Sequence, residues 1–253
     1  MRRIPLAAEM TTYKVWDAGV RWFHWINVLC LLGLIAVGTA ILNDSALGVD
    51  NDGKVLLKTV HVWIGYVFAL NLLWRLLWAF VGGKTSRWRA ILPGKRGYLT
   101  ELRGYLAALR DGRPMQFLAH NPLGRVSITC LLLLMLIMAV TGLALAGTDL
   151  FYPPLGSWIA SSVAAPGVDP ATVVPYAPEM YDREAYASMR TLRAPIVRVH
   201  LYTFYALLVA IVLHIAGVVV AELRAEGNLV SAMFSGKKTL KDAPVDEDVS
   251  PRA

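Results

Sequence analysis

The sequence predicts an all-α integral membrane protein built around a bundle of four transmembrane helices. Of its 253 residues, 56% are hydrophobic and only 17% are charged, whereas a soluble domain carries about a quarter charged residues. The hydrophobic residues are concentrated in four stretches, at 20–42, 56–81, 126–146 and 196–221. Each stretch is long enough for a helix to cross a hydrocarbon core of about 30 Å. We therefore expect residues 1–236 to form a single four-helix membrane domain.

The distribution of basic residues predicts that both termini lie in the cytoplasm. Seventeen Lys and Arg residues fall in 1–21, 82–123 and 222–253, against four in 43–55 and 148–195. Because cytoplasmic loops of membrane proteins are enriched in Lys and Arg, we assign the first three segments to the cytoplasmic side. The same asymmetry accounts for the net charge of +7, so we expect no nucleic-acid partner.

The segments outside the four stretches have expected structures of their own. Four leucines at helical spacing predict an interfacial amphipathic helix in the middle loop, with a basic linker as the alternative: Leu99, Leu102, Leu106 and Leu109. The loop 148–195 holds seven of the thirteen prolines, and we expect it to fold irregularly on the outer surface or against a partner. The tail at 237–253 is polar, and we expect it to be disordered.

Four of the five histidines lie in or at the edge of the hydrophobic stretches, where an ionisable group is costly. His200 and His214 are fourteen residues apart, which on one helix separates them by about 21 Å and leaves them within about 40° of the same face. His61 lies about one turn from the outer end of its helix, level with His200. His24 lies about one turn from the cytoplasmic end of its helix, on the same half as His214. The four histidines therefore form two pairs at two depths.

Two imidazoles facing each other across a helical bundle are the ligands that a six-coordinate, non-covalent haem requires. We predict that His61 and His200 bind an outer haem b and that His24 and His214 bind an inner haem b, forming an electron path through the bilayer. A zinc site needs three or four converging ligands, and a proton relay needs buried carboxylates, which the stretches lack before Glu222. A small transporter or a structural anchor with packing histidines is the alternative, and metal-ion handling is a weaker one.

Two arginines are candidates for binding the haem propionates, because guanidinium groups pair well with carboxylates. Arg75 follows His61 by fourteen residues, on the same helical face but at the cytoplasmic depth. Arg21 precedes His24 by three residues on the same side of its helix. The alternative is that both side chains extend toward phosphate headgroups.

Several motifs also resemble those of a known family. They are Val-Arg-Trp-Phe-His-Trp at 20–25, His61 and Arg75 followed by Trp-Ala-Phe-Val-Gly at 78–82, His-Asn-Pro at 120–122, Thr-Gly-Leu-Ala-Leu at 141–145, and the spacing of His200 and His214. On these motifs, most of the chain resembles the bacterial cytochrome b561/nickel-hydrogenase cytochrome b family. Within that family it most resembles the b-type cytochrome subunits of membrane-bound nickel–iron hydrogenases.

The resemblance implies a function in respiratory electron transport. Members of this family take electrons from a periplasmic redox protein, pass them through an outer and then an inner haem b, and reduce quinone near the cytoplasmic face of the inner membrane. Such a chain is an electron-transfer subunit and not an enzyme by itself. By analogy with the membrane subunits of formate dehydrogenases, Asn121 and the adjacent His120 are candidates for the quinone site, with a solvated loop histidine as the alternative for His120. The loop 148–195 departs from the hydrogenase subunits, so the expected partner is either a hydrogenase small subunit or a c-type cytochrome.

Overall fold

The computed structural model describes residues 10–94, 96–113, 115–224, 228–241 and 243–246. In chain order its elements are β1 (Thr11–Lys14), α1 (Ala18–Leu42), α2 (Asn51–Val81), α3 (Trp88–Ile91), α4 (Tyr98–Arg110), α5 (Pro122–Leu150), α6 (Gly156–Val163), α7 (Arg183–Leu223), α8 (Leu229–Ser235) and β2 (Lys237–Leu240). Short 3-10 helices lie between α2 and α3 and between α6 and α7, at Lys84–Ser86, Pro170–Thr172 and Pro178–Met180.

The four hydrophobic stretches lie within the four longest helices of the described chain. Helices α1, α2, α5 and α7 are each long and apolar enough to cross a membrane, which confirms this part of the predicted fold. Large apolar side chains on these helices point away from the protein, and Leu29, Leu70 and Val212 are 70%, 69% and 65% exposed. A helix that crosses a bilayer satisfies its backbone internally and can present such side chains to lipid.

The long helices extend beyond the hydrophobic stretches because an Asp or Asn side chain caps the start of each one. The side-chain oxygen accepts a backbone N–H three residues later in every case: Asp17 from Val20, Asp50 from Gly53, Asn121 from Gly124 and Asp182 from Ala185. Such caps satisfy N–H groups that a helix terminus otherwise leaves unpaired. Helix α7 consequently begins at Arg183, well before the predicted start at 196, and continues through Pro195.

Asp17 also joins the start of α1 to the segment that follows α2. Its carboxylate accepts hydrogen bonds from Ser86 Oγ at 2.7 Å, from Trp78 Nε1 at 3.1 Å and from the Gly83 N–H at 3.3 Å. Burial raises the pKa of this carboxyl, but the hydrogen bonds, led by the one from Ser86, outweigh burial and hold the pKa below 3.8. The ionised carboxylate therefore stabilises this junction at neutral pH.

The chain divides into two compact units, and all four long helices contribute residues to each. Unit 1 comprises Met1–Trp25, Trp74–Leu132 and Val209–Ala253, and unit 2 comprises Ile26–Leu73 and Leu133–Leu208. His24 and His214 belong to unit 1, whereas His61 and His200 belong to unit 2.

Unit 1 contains a two-stranded sheet that corrects the expectation for the start of the tail. Strand β2 pairs antiparallel with β1, with Lys238 opposite Tyr13, where we expected disorder from residue 237. The strand forms because its backbone pairs with a segment near the other end of the sequence and buries Leu240, which is 1% exposed. Lys238 is also buried, and its Nζ donates a hydrogen bond to the Phe117 carbonyl. The remaining tail residues 242 and 247–253 lie outside the described residues, as do 1–9.

The core of unit 1 packs the sheet against helical segments. Its buried residues are Tyr13, Val15, Trp16, Val20, Leu118, Ala119, Ala232 and Leu240. Helix α4 lies where the amphipathic helix is predicted, but its buried face carries Tyr98 and Tyr105. Leu99 and Leu106 are 66% and 45% exposed, so they are available to a lipid headgroup region. The interfacial location of α4 stays a prediction.

The Pro-rich loop has a core of its own within unit 2. Helix α6, the following 3-10 segment and the start of α7 pack around Ile159, Ala160, Val163, Val173, Tyr181 and Met189. At the end of α5, the Asp149 carboxylate pairs with Arg193 Nη2 at 2.6 Å and with Lys58 Nζ at 3.3 Å. The loop is therefore folded more regularly than its proline content suggests, because these apolar side chains bury one another.

Candidate functional site

The first histidine pair lies in unit 1, between α1 and α7. His24 and His214 are both partly buried, and they lie within electrostatic range of each other. The Nδ1 atom of His24 is buried and has no hydrogen-bond partner in the part of the chain that the structure describes. The His24 ring meets Trp25 edge-on, with ring centroids 5.0 Å apart, and Trp25 Nε1 donates to the Met233 carbonyl at 3.1 Å. This neighbour fixes one side of the imidazole.

The second pair lies in unit 2, between α2 and α7. His61 and His200 are partly buried and also lie within electrostatic range of each other. The Nδ1 atom of His61 is buried, again with no hydrogen-bond partner among the described residues. The histidines that lie within electrostatic range of each other are the same pairs that were matched by depth from the sequence, and their role as haem ligands stays a prediction.

Thr141 on α5 determines which ring nitrogen of His200 is available as a ligand, a role that was not predicted from the sequence. Its Oγ1 lies 2.8 Å from His200 Nδ1 and donates its own hydrogen to the Ile137 carbonyl at 2.6 Å. Because the hydroxyl hydrogen is used, Oγ1 accepts from an Nδ1–H group, which leaves the lone pair of His200 on Nε2. The available signal was the position of Thr141 in the 141–145 motif.

Two glycines let neighbouring helices pack directly against the imidazoles of unit 2. A Cβ atom at Gly38 of α1 would lie 3.3 Å from His61 Cε1, and a Cβ atom at Gly142 of α5 would lie 3.4 Å from His200 Cε1. Side chains at these positions would press on the rings. Helix association in membranes commonly relies on such small residues.

Both predicted propionate arginines lie in unit 1, and Arg75 does not extend toward solvent as a snorkelling side chain would, whereas Arg21 is only partly buried. Arg75 is 5% exposed, with Nη2 donating to the Ser86 carbonyl at 3.1 Å and Nη1 buried without a partner in the described chain. Arg21 Nη1 donates to the Phe234 carbonyl, and its Nε is likewise buried and without a described partner.

His120 is not a solvated loop histidine. Its ring packs on Trp16 with centroids 4.7 Å apart, and its Nδ1 is buried without a hydrogen-bond partner among the described residues. Burial, and then the charges of Arg75, Lys238 and Arg125, lower the pKa of His120 to about 3. The imidazole is therefore neutral at physiological pH.

Asn121 has a structural role that the sequence analysis missed. Its Oδ1 caps α5 by accepting the Gly124 N–H at 2.6 Å, and its Nδ2 donates to the Tyr105 hydroxyl at 2.7 Å. Both ends of the amide are engaged within the protein, so a quinone would have to share these groups.

Residues 15–236 match the family model of prokaryotic cytochrome b561. The chain belongs to this family. The resemblance drawn from the motifs is confirmed, and the chain is a multi-pass membrane protein and a b-type cytochrome.

Relatives of this cytochrome b561 are named as hydrogenase subunits. A "Probable Ni/Fe-hydrogenase B-type cytochrome subunit" from Bradyrhizobium diazoefficiens is 26% identical over 250 residues, which cover 93% of this chain and 90% of the relative. A protein of the same name from Cupriavidus necator is 25% identical over 236 residues, covering 90% of this chain and 87% of the relative. The "Probable Ni/Fe-hydrogenase 1 B-type cytochrome subunit" of Escherichia coli is 32% identical over 147 residues, and this chain spans 61% of its length. No solved structure matches the chain.

The histidine pairs of this cytochrome b561 fit haem b. Each pair includes a buried ring nitrogen without a described partner, and burying an unsatisfied polar atom is costly. Within the residues that the structure describes, no three His, Cys, Asp or Glu side chains converge on a metal site. Two imidazoles between apolar helices are the donors that bis-histidine haem uses.

Proposed function

We propose that this cytochrome b561 is a diheme electron carrier of the bacterial inner membrane, linking a periplasmic redox partner to the quinone pool. The observation that carries the proposal is the presence of two imidazole pairs on apolar helices, one in each unit. His24 and His214 would hold one haem b, and His61 and His200 would hold the other. Haem iron, when bound, supplies reversible one-electron chemistry.

The chain's own residues position and protect these ligands. Thr141 holds His200 in the tautomer that presents Nε2 as a ligand. Gly38 and Gly142 bring α1 and α5 against the imidazoles of unit 2, which keeps the rings from rotating. Arg75 supplies a buried guanidinium group in unit 1 and Arg21 a partly buried one, where propionates would need a counter-charge.

The predicted topology gives the two pairs different roles. If both termini are cytoplasmic, His24 and His214 lie toward the cytoplasmic ends of α1 and α7, and His61 and His200 toward the periplasmic ends of α2 and α7. Electrons would then enter at the His61/His200 pair and leave at the His24/His214 pair. A quinone would react near that second pair, and His120 with Asn121 is the proposed place.

The partner is proposed to be a redox protein that contacts the loop 148–195. The relatives are named as Ni/Fe-hydrogenase subunits, which supports a hydrogenase small subunit as the donor, and a c-type cytochrome is the alternative. The loop presents a folded surface for such a protein, with Trp158 of α6 68% exposed. In this assembly the chain is an electron-transfer subunit.

Haem stoichiometry in single-histidine variants tests the proposal. Wild-type protein should contain two haems by pyridine haemochrome assay, and His24→Ala and His61→Ala should each contain one. Matched controls are Leu213→Ala, which replaces a 65% exposed neighbour of His214, and Val60→Ala, which replaces a 41% exposed neighbour of His61. Both controls should keep two haems. Unchanged haem content and spectra in either histidine variant would overturn the pairing, and a colourless wild-type protein would favour a transporter or structural anchor.

A further inference from the structure

Two buried arginines of unit 1 converge on the same neutral histidine. Arg75 comes from the C-terminal part of α2 and Arg125 from the first turn of α5, and each is 5% exposed. Both lie within electrostatic range of His120, which is also within range of His214. Arg125 belongs to none of the motifs that were identified in the sequence.

The positive charge of these arginines has no described counter-ion. Neither arginine forms an ion pair within 4.0 Å in the described part of the chain. Arg75 Nη1 and Arg125 Nε and Nη1 are buried donors without hydrogen-bond partners among those residues. Asp17 attracts Arg75 from a distance, but its carboxylate already accepts hydrogen bonds from Ser86 and Trp78. Because an unpaired buried charge costs several kcal/mol, these donors require an anion.

We propose that Arg75 and Arg125, together with His120, form the binding site for the propionate carboxylates of the haem held by His24 and His214. This inference rests on the proposed function and adds Arg125 to it. Guanidinium groups match carboxylates in charge and geometry, often through two parallel hydrogen bonds. His120 is uncharged and can form one hydrogen bond with a propionate without adding to the positive charge of Arg75, Arg125 and the nearby Lys238.

Other ligands fit this site less well. A quinone is neutral, so its carbonyl oxygens would leave two buried positive charges uncompensated. A lipid phosphate needs access from the headgroup region, whereas both guanidinium groups are almost completely buried. A haem propionate is anionic and would be delivered to the interior by the macrocycle bound at the adjacent His214.

Esterified haem tests the contact without altering any site residue. We would use the full-length chain in detergent, with His61→Ala to remove the other haem, and titrate the apoprotein with haem b and with its propionate dimethyl ester. The diester should bind about tenfold or more weakly than haem b, since a hydrogen bond to a charged group contributes about 1.5–3 kcal/mol. Equal affinity for the two haems would overturn the proposal.

Arginine variants then assign the contact to Arg125. In the His61→Ala background, Arg125→Gln should bind haem b about tenfold or more weakly. It should also lose most of its preference for haem b over the dimethyl ester. Arg125→Lys should recover part of the affinity and part of the preference. Arg110→Gln, which removes an arginine whose side chain is 90% exposed in the same unit, should change neither. If Arg125→Gln keeps the full preference for haem b, or impairs only quinone binding, Arg125 does not bind propionate. A His61→Ala parent that binds no haem at all would instead refute the proposed function.

Discussion

Replacing Thr141 with valine should weaken the outer haem site specifically. Valine keeps the shape of threonine but removes the hydroxyl, whose oxygen accepts from His200 Nδ1 at 2.8 Å while its hydrogen bonds to the Ile137 carbonyl. In Thr141→Val the Nδ1–H of His200 loses its acceptor within the bundle. Both the orientation of the ring and the tautomer that presents Nε2 then lose their support.

The magnitude follows from the chemistry of the lost contact. Leaving a buried donor unsatisfied costs about 1–3 kcal/mol, and removing a partner of a metal-ligating histidine typically costs about 10–100-fold in affinity. We expect the affinity for haem b at the His61/His200 site to fall by about tenfold or more. In the wild-type protein the hydrogen bond would also make the imidazole a better electron-pair donor to ferric iron. The midpoint potential of the outer haem should therefore be higher in Thr141→Val, by about 59 mV for each tenfold loss of affinity for ferric relative to ferrous haem.

Haem titration and potentiometric titration of the visible spectrum would measure both effects. Thr141→Ser, which keeps the hydroxyl, should restore the wild-type affinity and potential. Thr148→Val is the matched control, because Thr148 lies on the same helix and its hydroxyl donates to the Ala144 carbonyl at 3.2 Å and to the Leu145 carbonyl at 3.4 Å. The reasoning is refuted if Thr141→Val is indistinguishable from wild type, or if Thr148→Val produces the same changes.

Three further substitutions test the surroundings of the sites. Gly38→Ala should shift the spectrum and potential of the outer haem, because the added Cβ would lie 3.3 Å from His61 Cε1. Gly33→Ala is the control and should shift neither, because its Cβ would lie 3.2 Å from the flexible end of the Ile64 side chain. Equal shifts in both variants would contradict this reasoning. Asp17→Asn should lower the free energy of unfolding by about 1–3 kcal/mol at pH 7. Because the pKa of Asp17 is depressed in the folded state, this stabilisation is present above about pH 3.8 and is lost as the pH falls through the folded-state pKa. If the melting temperatures of wild type and Asp17→Asn differ by the same amount at pH 7 and at pH 3, the carboxylate is not the cause. Asp149→Asn should destabilise the protein by about 1–3 kcal/mol by removing the carboxylate that pairs with partly buried Arg193 and Lys58, and Asp149→Glu should recover part of the loss in a thermal melt.

The sequence by itself determined the features that depend on local composition and periodicity. Four long apolar helices follow from the length of hydrocarbon that a helix must cross, and the shared face of His200 and His214 follows from the helical repeat. The N-terminal caps were also local signals, since Asp50 and Asp182 stand directly before their helices, but hydropathy is insensitive to them. The predicted spans therefore begin later than the helices do, most of all at α7, which begins at Arg183 instead of 196.

Only the tertiary structure decided which side chains from distant segments meet. The acceptor that Thr141 offers to His200, and the approach of Arg75 to His120, join segments that are far apart in the sequence, and no spacing within one helix encodes them. The strand Lys237–Leu240 was missed for the same reason, because its partner lies more than two hundred residues away in the sequence. Contacts of this kind are selected by packing and by the cost of burying unpaired polar groups, which are properties of the assembled chain.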